Sequence, residues 1–229
     1  MSRDDGARHQ ESVADGPVQF RYGAVLVLML AVVVFVIAAP SGDWSRAVAL
    51  AIEGAALVFA VATARERGDV RYRDALVAGA VTAVLIVGVA VGVVSQSLAA
   101  AVNALVTAAV PVVIVRGVVR MLRDRGVTLQ AVAGALAIYL TVGLMFAYII
   151  GFIAYVDSTP YFEQHTDGTQ GDRLYFSFTV LTTTGFGDFS AATPAGHAVA
   201  VIEMLTGQIY LVTVIGLLIG NFVSARRTT

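Results

Sequence analysis

The chain has no cysteine and no lysine, a single tryptophan, and few charges of either sign: 14% of its 229 residues. Without cysteine, disulfides and thiolate metal sites are excluded. The three histidines, His9, His165 and His197, show no metal-ligand spacing. No phosphate-binding glycine loop, dinucleotide fingerprint or hydrolase constellation is present, so no enzymatic activity and no organic cofactor are expected. A soluble domain of this size carries about 25% charged residues. That deficit, beside 58% hydrophobic residues, marks an integral membrane protein.

What is present is a series of apolar runs. A span needs about 20 mostly apolar residues. Gly23 to Ala39 is the first and stops at Pro40. The tail before it is mixed in charge and no small-residue cleavage site leads to a soluble domain, so it is read as a span and not as a signal peptide. Trp44 to Ala64 is the second, with Glu53 inside it. Ala75 to Val115 holds no charge and is too long for one span; Ser95-Gln96-Ser97 is the place to divide it. Gly126 to Val156 is the fifth, long enough to tilt. Ala198 to Ser224 is the sixth. Between the last two lies Asp172 to Thr183, too short to cross and suited to a re-entrant helix. All fifteen basic residues are arginine. With the amino terminus inside, thirteen fall on inner segments and two, Arg46 and Arg173, on outer ones. Both termini are therefore expected in the cytoplasm.

Between the fifth and sixth spans stands Thr182-Thr183-Thr184-Gly185-Phe186-Gly187-Asp188. Two glycines alternate with an aromatic residue, behind a run of hydroxyls. This resembles the selectivity filter of the potassium channel family, usually written T-V-G-Y-G-D. The resemblance puts Thr183, Thr184, Gly185, Phe186 and Gly187 at the five filter positions and Asp188 after them. It implies that the carbonyls of Thr183 to Phe186, with the Thr183 hydroxyl, replace the water of a potassium ion. Carbonyls facing one axis need alternating backbone conformations, some with φ above zero, which Gly185 and Gly187 reach without steric cost. Phe186 is expected to point outward and brace the loop against the pore helix. The plain alternative, a glycine-rich turn between buried helices, loses weight against the surrounding membrane pattern.

The resemblance covers residues 129–224 and implies a pore domain there. Its expected supports are Tyr175, Thr179, Asp188 and Glu203. Thr184 and Phe186 depart from the usual apolar residue and tyrosine, and Ala191 stands where a proline is often found. Thr193-Pro194 opens the last helix well, threonine as cap and proline at the first helical position. Gly207 is a hinge candidate, or a small residue that permits close packing. Helical spacing puts Gln208, Leu211, Ile215 and Ile219 on one cavity-lining stripe. Glu203 is rotated about 140° from that stripe, toward the pore helix near Thr179. A hydrogen-bonded role behind the filter is expected for it.

The expected fold is an all-α membrane protein: six transmembrane helices plus a re-entrant pore helix and filter loop. Residues 1–22 form a disordered cytoplasmic tail. Residues 23–116 form a four-helix membrane domain that resembles a voltage sensor but lacks gating arginines, since residues 98–115 carry none. Residues 117–128 form an amphipathic cytoplasmic linker with Arg120 and Arg123, and residues 225–229 a tail too short for a ligand-binding domain. Arg116 precedes the linker on the same side. Asn103 and Pro111 suggest an interhelical hydrogen bond and a kink. Glu53 is a remnant charge partner, through Arg116, or is hydrogen-bonded within the four-helix bundle or placed at an aqueous crevice. Asp157, Glu163, Asp167, Asp172 and Asp188 surround the outer mouth, where they attract cations or are simply solvated. The resemblance implies a homotetramer among membrane lipids, with potassium as its ion, no nucleic acid, and an inner or plasma membrane location. A non-selective cation channel, a voltage-gated channel with reduced gating charge, a potassium transporter subunit and a non-conducting scaffold are the rivals.

Overall fold

The computed structural model describes residues 21–40, 42–63 and 128–220, with positions 84, 87–88, 107, 114–116, 118–119 and 122–123. Its long elements are helical: α1 (Arg21–Ala38), α2 (Asp43–Thr63), α3 (Leu129–Val156), α4 (Gln170–Leu181) and α5 (Pro194–Ile209). A π-helix, Tyr210–Ile215, runs on from α5.

Threonines decide where three of these helices begin. The Thr128 side chain accepts from the Ala131 N–H and starts α3 three residues after the predicted Gly126. Thr169 and Asp172 form a reciprocal capping box, so α4 starts at Gln170 and not at Asp172. Thr193 caps α5 through the Gly196 N–H, with Pro194 at its first turn.

Leu129–Val156 and the helical run Pro194–Gly220 are each long and apolar enough to cross a membrane; Tyr22–Ala38 is a shorter apolar helix. The six-span count does not follow from the described residues. Most of spans three and four, with Ser95–Ser97, Asn103 and Pro111, lies outside them, as do residues 1–20, 225–229 and Arg120; Arg21 and Tyr22, expected in the disordered tail, belong to α1.

α1 lies against α3 and α4. Val25, Met29 and Val32 are fully buried there, with Ile138, Leu144 and Leu174 opposite. Ile114 and Val118 join the same core. The fit is close: a Cβ at Gly134 would collide with Val118, and one at Gly171 would press on the Val36 carbonyl. A second cluster gathers Ile150, Tyr161, Phe162, Phe176, Val180 and Ala191 around the outer loop. Its rings meet edge to face, Phe162 with Phe176 at 5.2 Å and with Phe189 at 4.9 Å. Such pairs add about 0.5–1.5 kcal/mol each beyond area burial. This cluster fixes the segment that leaves the glycine-rich loop.

Candidate functional site

The helix α4 ends at Leu181, and the chain then turns through Thr183 to Gly187. Three alternate residues hold left-handed backbone: Thr183 at φ 57°, Gly185 at 52° and Gly187 at 80°. This alternation turns successive peptide planes. At both glycines a Cβ would meet nothing within 4 Å, so within one chain backbone angle is the reason for glycine, not space. Thr183 has no such freedom. Left-handed backbone costs a residue with a Cβ about 1–2 kcal/mol, and β-branching makes it rarer still.

The strand hangs from the end of α4. The Thr179 carbonyl accepts from the N–H groups of both Thr184 (2.8 Å) and Gly185 (3.0 Å). The Thr183 N–H donates to the Val180 carbonyl, and the Thr182 and Thr184 hydroxyls meet at 2.8 Å. All residues from Thr182 to Asp188 are exposed in the single chain. Phe186 is 69% exposed, and its ring stacks on Tyr175 of α4, 6.3 Å between centroids and nearly parallel.

The far end of the strand is tied to the outer loop. Gln164 Nε2 donates to the Asp188 carbonyl at 2.8 Å, and the Glu163 N–H to the Ser190 carbonyl at 2.9 Å. The Tyr161 carbonyl accepts from the Ala192 N–H. Burial pushes the Tyr161 hydroxyl above the ordinary tyrosine range. Most outer carboxylates have local partners. Asp172 caps α4, Asp167 accepts from the Tyr161 N–H, and Asp157 from the Thr159 N–H. Asp188 accepts from Phe189 next to it and interacts with the Tyr175 hydroxyl. Arg173 is buried; it donates to the Asp167 carbonyl and lies over the Tyr155 ring.

The last helix, α5, which the channel reading makes the inner helix, closes on α4 from behind. Glu203 faces α4 and is fully buried, but its partner is Ser177, not Thr179, whose hydroxyl bonds the Phe176 carbonyl. Gly207 meets the end of α4: a Cβ there would run into the Leu181 carbonyl. Close packing therefore accounts for this glycine. The Tyr139 hydroxyl of α3 donates to the same Leu181 carbonyl.

One expectation needs correction. Gln208, Leu211, Ile215 and Ile219 do not form a single α-helical stripe, because Tyr210–Ile215 is a π-helix and its wider turn shifts the register between Gln208 and Ile219. The Thr213 hydroxyl takes the Ile209 carbonyl at 2.5 Å, which competes with the α-helical bond to that carbonyl.

Glu53 of α2 is buried and accepts from the Tyr148 hydroxyl (2.7 Å) and the Thr107 hydroxyl (3.2 Å). Arg116 is exposed, and Glu53 is hydrogen-bonded, but one of its partners, Tyr148, belongs to α3 and not to the four-helix domain expected to hold it. Gln170, at the start of α4, donates in turn to the Tyr148 oxygen. Ser177, Tyr148, Tyr161 and Gln170 carry these contacts and were not anticipated. A polar side chain inside an apolar helix, as at Ser177 and Tyr148, was the available signal.

No curated protein and no solved structure matches the chain. Residues 138–224, which take in most of α3, the glycine loop and the helical run that begins at Pro194, match the family described as ion channel. With its two membrane-length helices, this segment supports an ion channel seated in a membrane.

Proposed function

We propose that four copies of this chain form a potassium-selective channel of the inner or plasma membrane. The observation that carries this reading is the strand Thr183–Gly187, left-handed at every second residue and anchored at both ends. Such a strand offers consecutive oxygens along one edge. A potassium ion that loses its water needs oxygen dipoles from all sides, and one strand supplies one side. Four copies about an axis close the ring; the Thr183 hydroxyl adds an oxygen below the carbonyls of Thr183, Thr184, Gly185 and Phe186. The inner helix lines the cavity beneath.

The same proposal includes six spans, both termini in the cytoplasm, and a first domain that senses little of the membrane field. Glu53, Tyr148 and Gln170 join that domain to the pore helix by hydrogen bonds without a basic partner among the described residues.

Planar-bilayer recording under opposed potassium and sodium gradients, with a voltage ramp, tests the reading. A reversal potential near that of potassium is expected. A reversal near zero gives the non-selective channel, a steep voltage curve the voltage-gated one, and silence the scaffold. Mass measurement in detergent should give about four times the 23.9 kDa chain.

A further inference from the structure

The hydroxyl of Ser177 has one proton and two neighbours that compete for it. It stands 2.7 Å from the Gly143 carbonyl oxygen of α3 and 2.5 Å from Glu203 Oε1 of the inner helix. A carbonyl oxygen only accepts, and an ionised carboxylate only accepts. If Glu203 were ionised, one of these two oxygen–oxygen contacts would hold no proton. The other carboxyl oxygen, Oε2, is buried and has no hydrogen-bond partner. Half of a carboxylate charge left bare in the interior is costly; the carbonyl oxygen of a neutral acid costs far less.

Among the described residues no cation balances a charge here. Among the described residues, the ionisable groups within electrostatic reach of Glu203 are Tyr139 from α3 and Tyr161 from the outer loop, neither of them basic. Arg173, one turn before Ser177 on α4, is directed to the Asp167 carbonyl and the Tyr155 ring.

We infer that Glu203 is a proton-binding site: a neutral carboxylic acid that donates to Ser177, which donates to the Gly143 carbonyl. Every proton and acceptor in the relay is then used once. The relay crosses three helices in sequence, from inner helix to pore helix to outer helix, and enters α4 two residues before Thr179, whose carbonyl holds the filter strand. Glu203 is thus a positioning residue for the filter, a role that rests on the potassium reading above; the protonation itself does not.

Infrared absorption of the full chain in lipid at neutral pH tests it. The spectrum of the wild type minus that of Glu203→Gln should contain the carbonyl band of a protonated carboxyl group. Glu53 is common to both samples and cancels. A difference spectrum with carboxylate bands only would overturn the inference. Glu203→Gln should also keep the wild-type melting temperature, because its amide can donate to Ser177, whereas Glu203→Ala and Ser177→Ala should lower it. Glutamine no better than alanine argues for the carboxylate. If Glu203→Gln does not assemble, Ser177→Ala serves: the acid band must move when its acceptor is removed, and an unmoved spectrum overturns the inference. None of these readouts uses ion flux, so their failure and failure of the potassium reading are distinct results.

Discussion

α3 and α5 are both long apolar helices of the channel segment, and the chain treats them differently. α3 buries fifteen residues between Ala131 and Ala154, large and small alike. α5 buries three: Gly196, Glu203 and Gly207. Two of these have no side chain, and the third is an acid. The inner helix is therefore attached where backbones approach, not by side-chain volume. Its apolar side chains Val201, Ile202, Leu205 and Ile209 remain about half exposed or more, from 49% to 60%. A contiguous apolar face of this kind marks an interaction surface. The difference teaches that α3 is completed within the chain and α5 is not; on the proposed assembly, lipid and other copies supply the rest.

Paired substitutions break this comparison most directly. Ile150→Ala on α3 empties a fully buried site among the outer-loop aromatics and should cost about 2 kcal/mol or more. Leu205→Ala on α5 should cost the fold of one chain less than about 0.5 kcal/mol. It should instead lower the fraction of tetramer. Thermal melting and native mass spectrometry, run on both variants, separate the two effects. An equal loss of melting temperature without loss of assembly would mean that α5 is not an intersubunit helix.

Gly207→Val sharpens the comparison at the attachment point. Its side chain meets the Leu181 backbone, which cannot turn aside as a side chain can. A cost of about 1–3 kcal/mol is expected, with the end of α4 displaced. Hydrogen exchange of the Thr183, Thr184 and Gly185 amides should rise in this variant. Unchanged protection would show that the inner helix does not support the filter.

Gly187→Ala moves the contrast onto the filter itself. At φ 80° a Cβ adds about 1–2 kcal/mol of strain but collides with nothing in its own chain. Assembly should survive while potassium preference, read from reversal potentials, is reduced or lost. Normal selectivity in this variant removes the filter assignment.

The smallest effect is expected from the first domain. One charge moved through the full field supplies about 2.3 kcal/mol per 100 mV. Residues 98–115 offer none. Open probability should vary with voltage by about one effective charge or fewer per subunit. Arg120→Gln with Arg123→Gln should leave that slope alone; a steep slope that flattens in the double variant revives the voltage-gated reading.

The sequence made parts of this arrangement readable and hid others for physical reasons. Thr193-Pro194 and the loop Thr182–Asp188 are local signals: caps and glycine angles depend on neighbours in the chain, and the structure places a cap and left-handed glycines at those residues. The turn of Glu203 toward α4 was readable from helical period once Gln208 was set on the cavity side, as the resemblance implies. Its partner was not. Ser177 or Thr179 as the partner depends on how two helices are rotated against each other, a matter of packing. Glu53 and Tyr148, 95 positions apart, meet only after α2 and α3 are both in place. The π-helix escaped because hydropathy does not report which carbonyl an N–H selects. The Thr213 hydroxyl was its one local trace.

Thr183 has a consequence of another kind. A glycine there would relax the backbone but surrender the hydroxyl, and the chain keeps the hydroxyl. The strand Thr183–Gly187 is thus a point of local frustration, where the backbone preference of the residue and the shape it must hold disagree. Segments of this kind do not order by themselves. On the proposed tetramer, this strand should take its final form last in biogenesis, once neighbouring strands and cations are present to reward it. If the proposed potassium pore is the assembled form, each ion that enters has a share in holding its shape, and withdrawal of potassium should loosen the assembly before any helix unfolds.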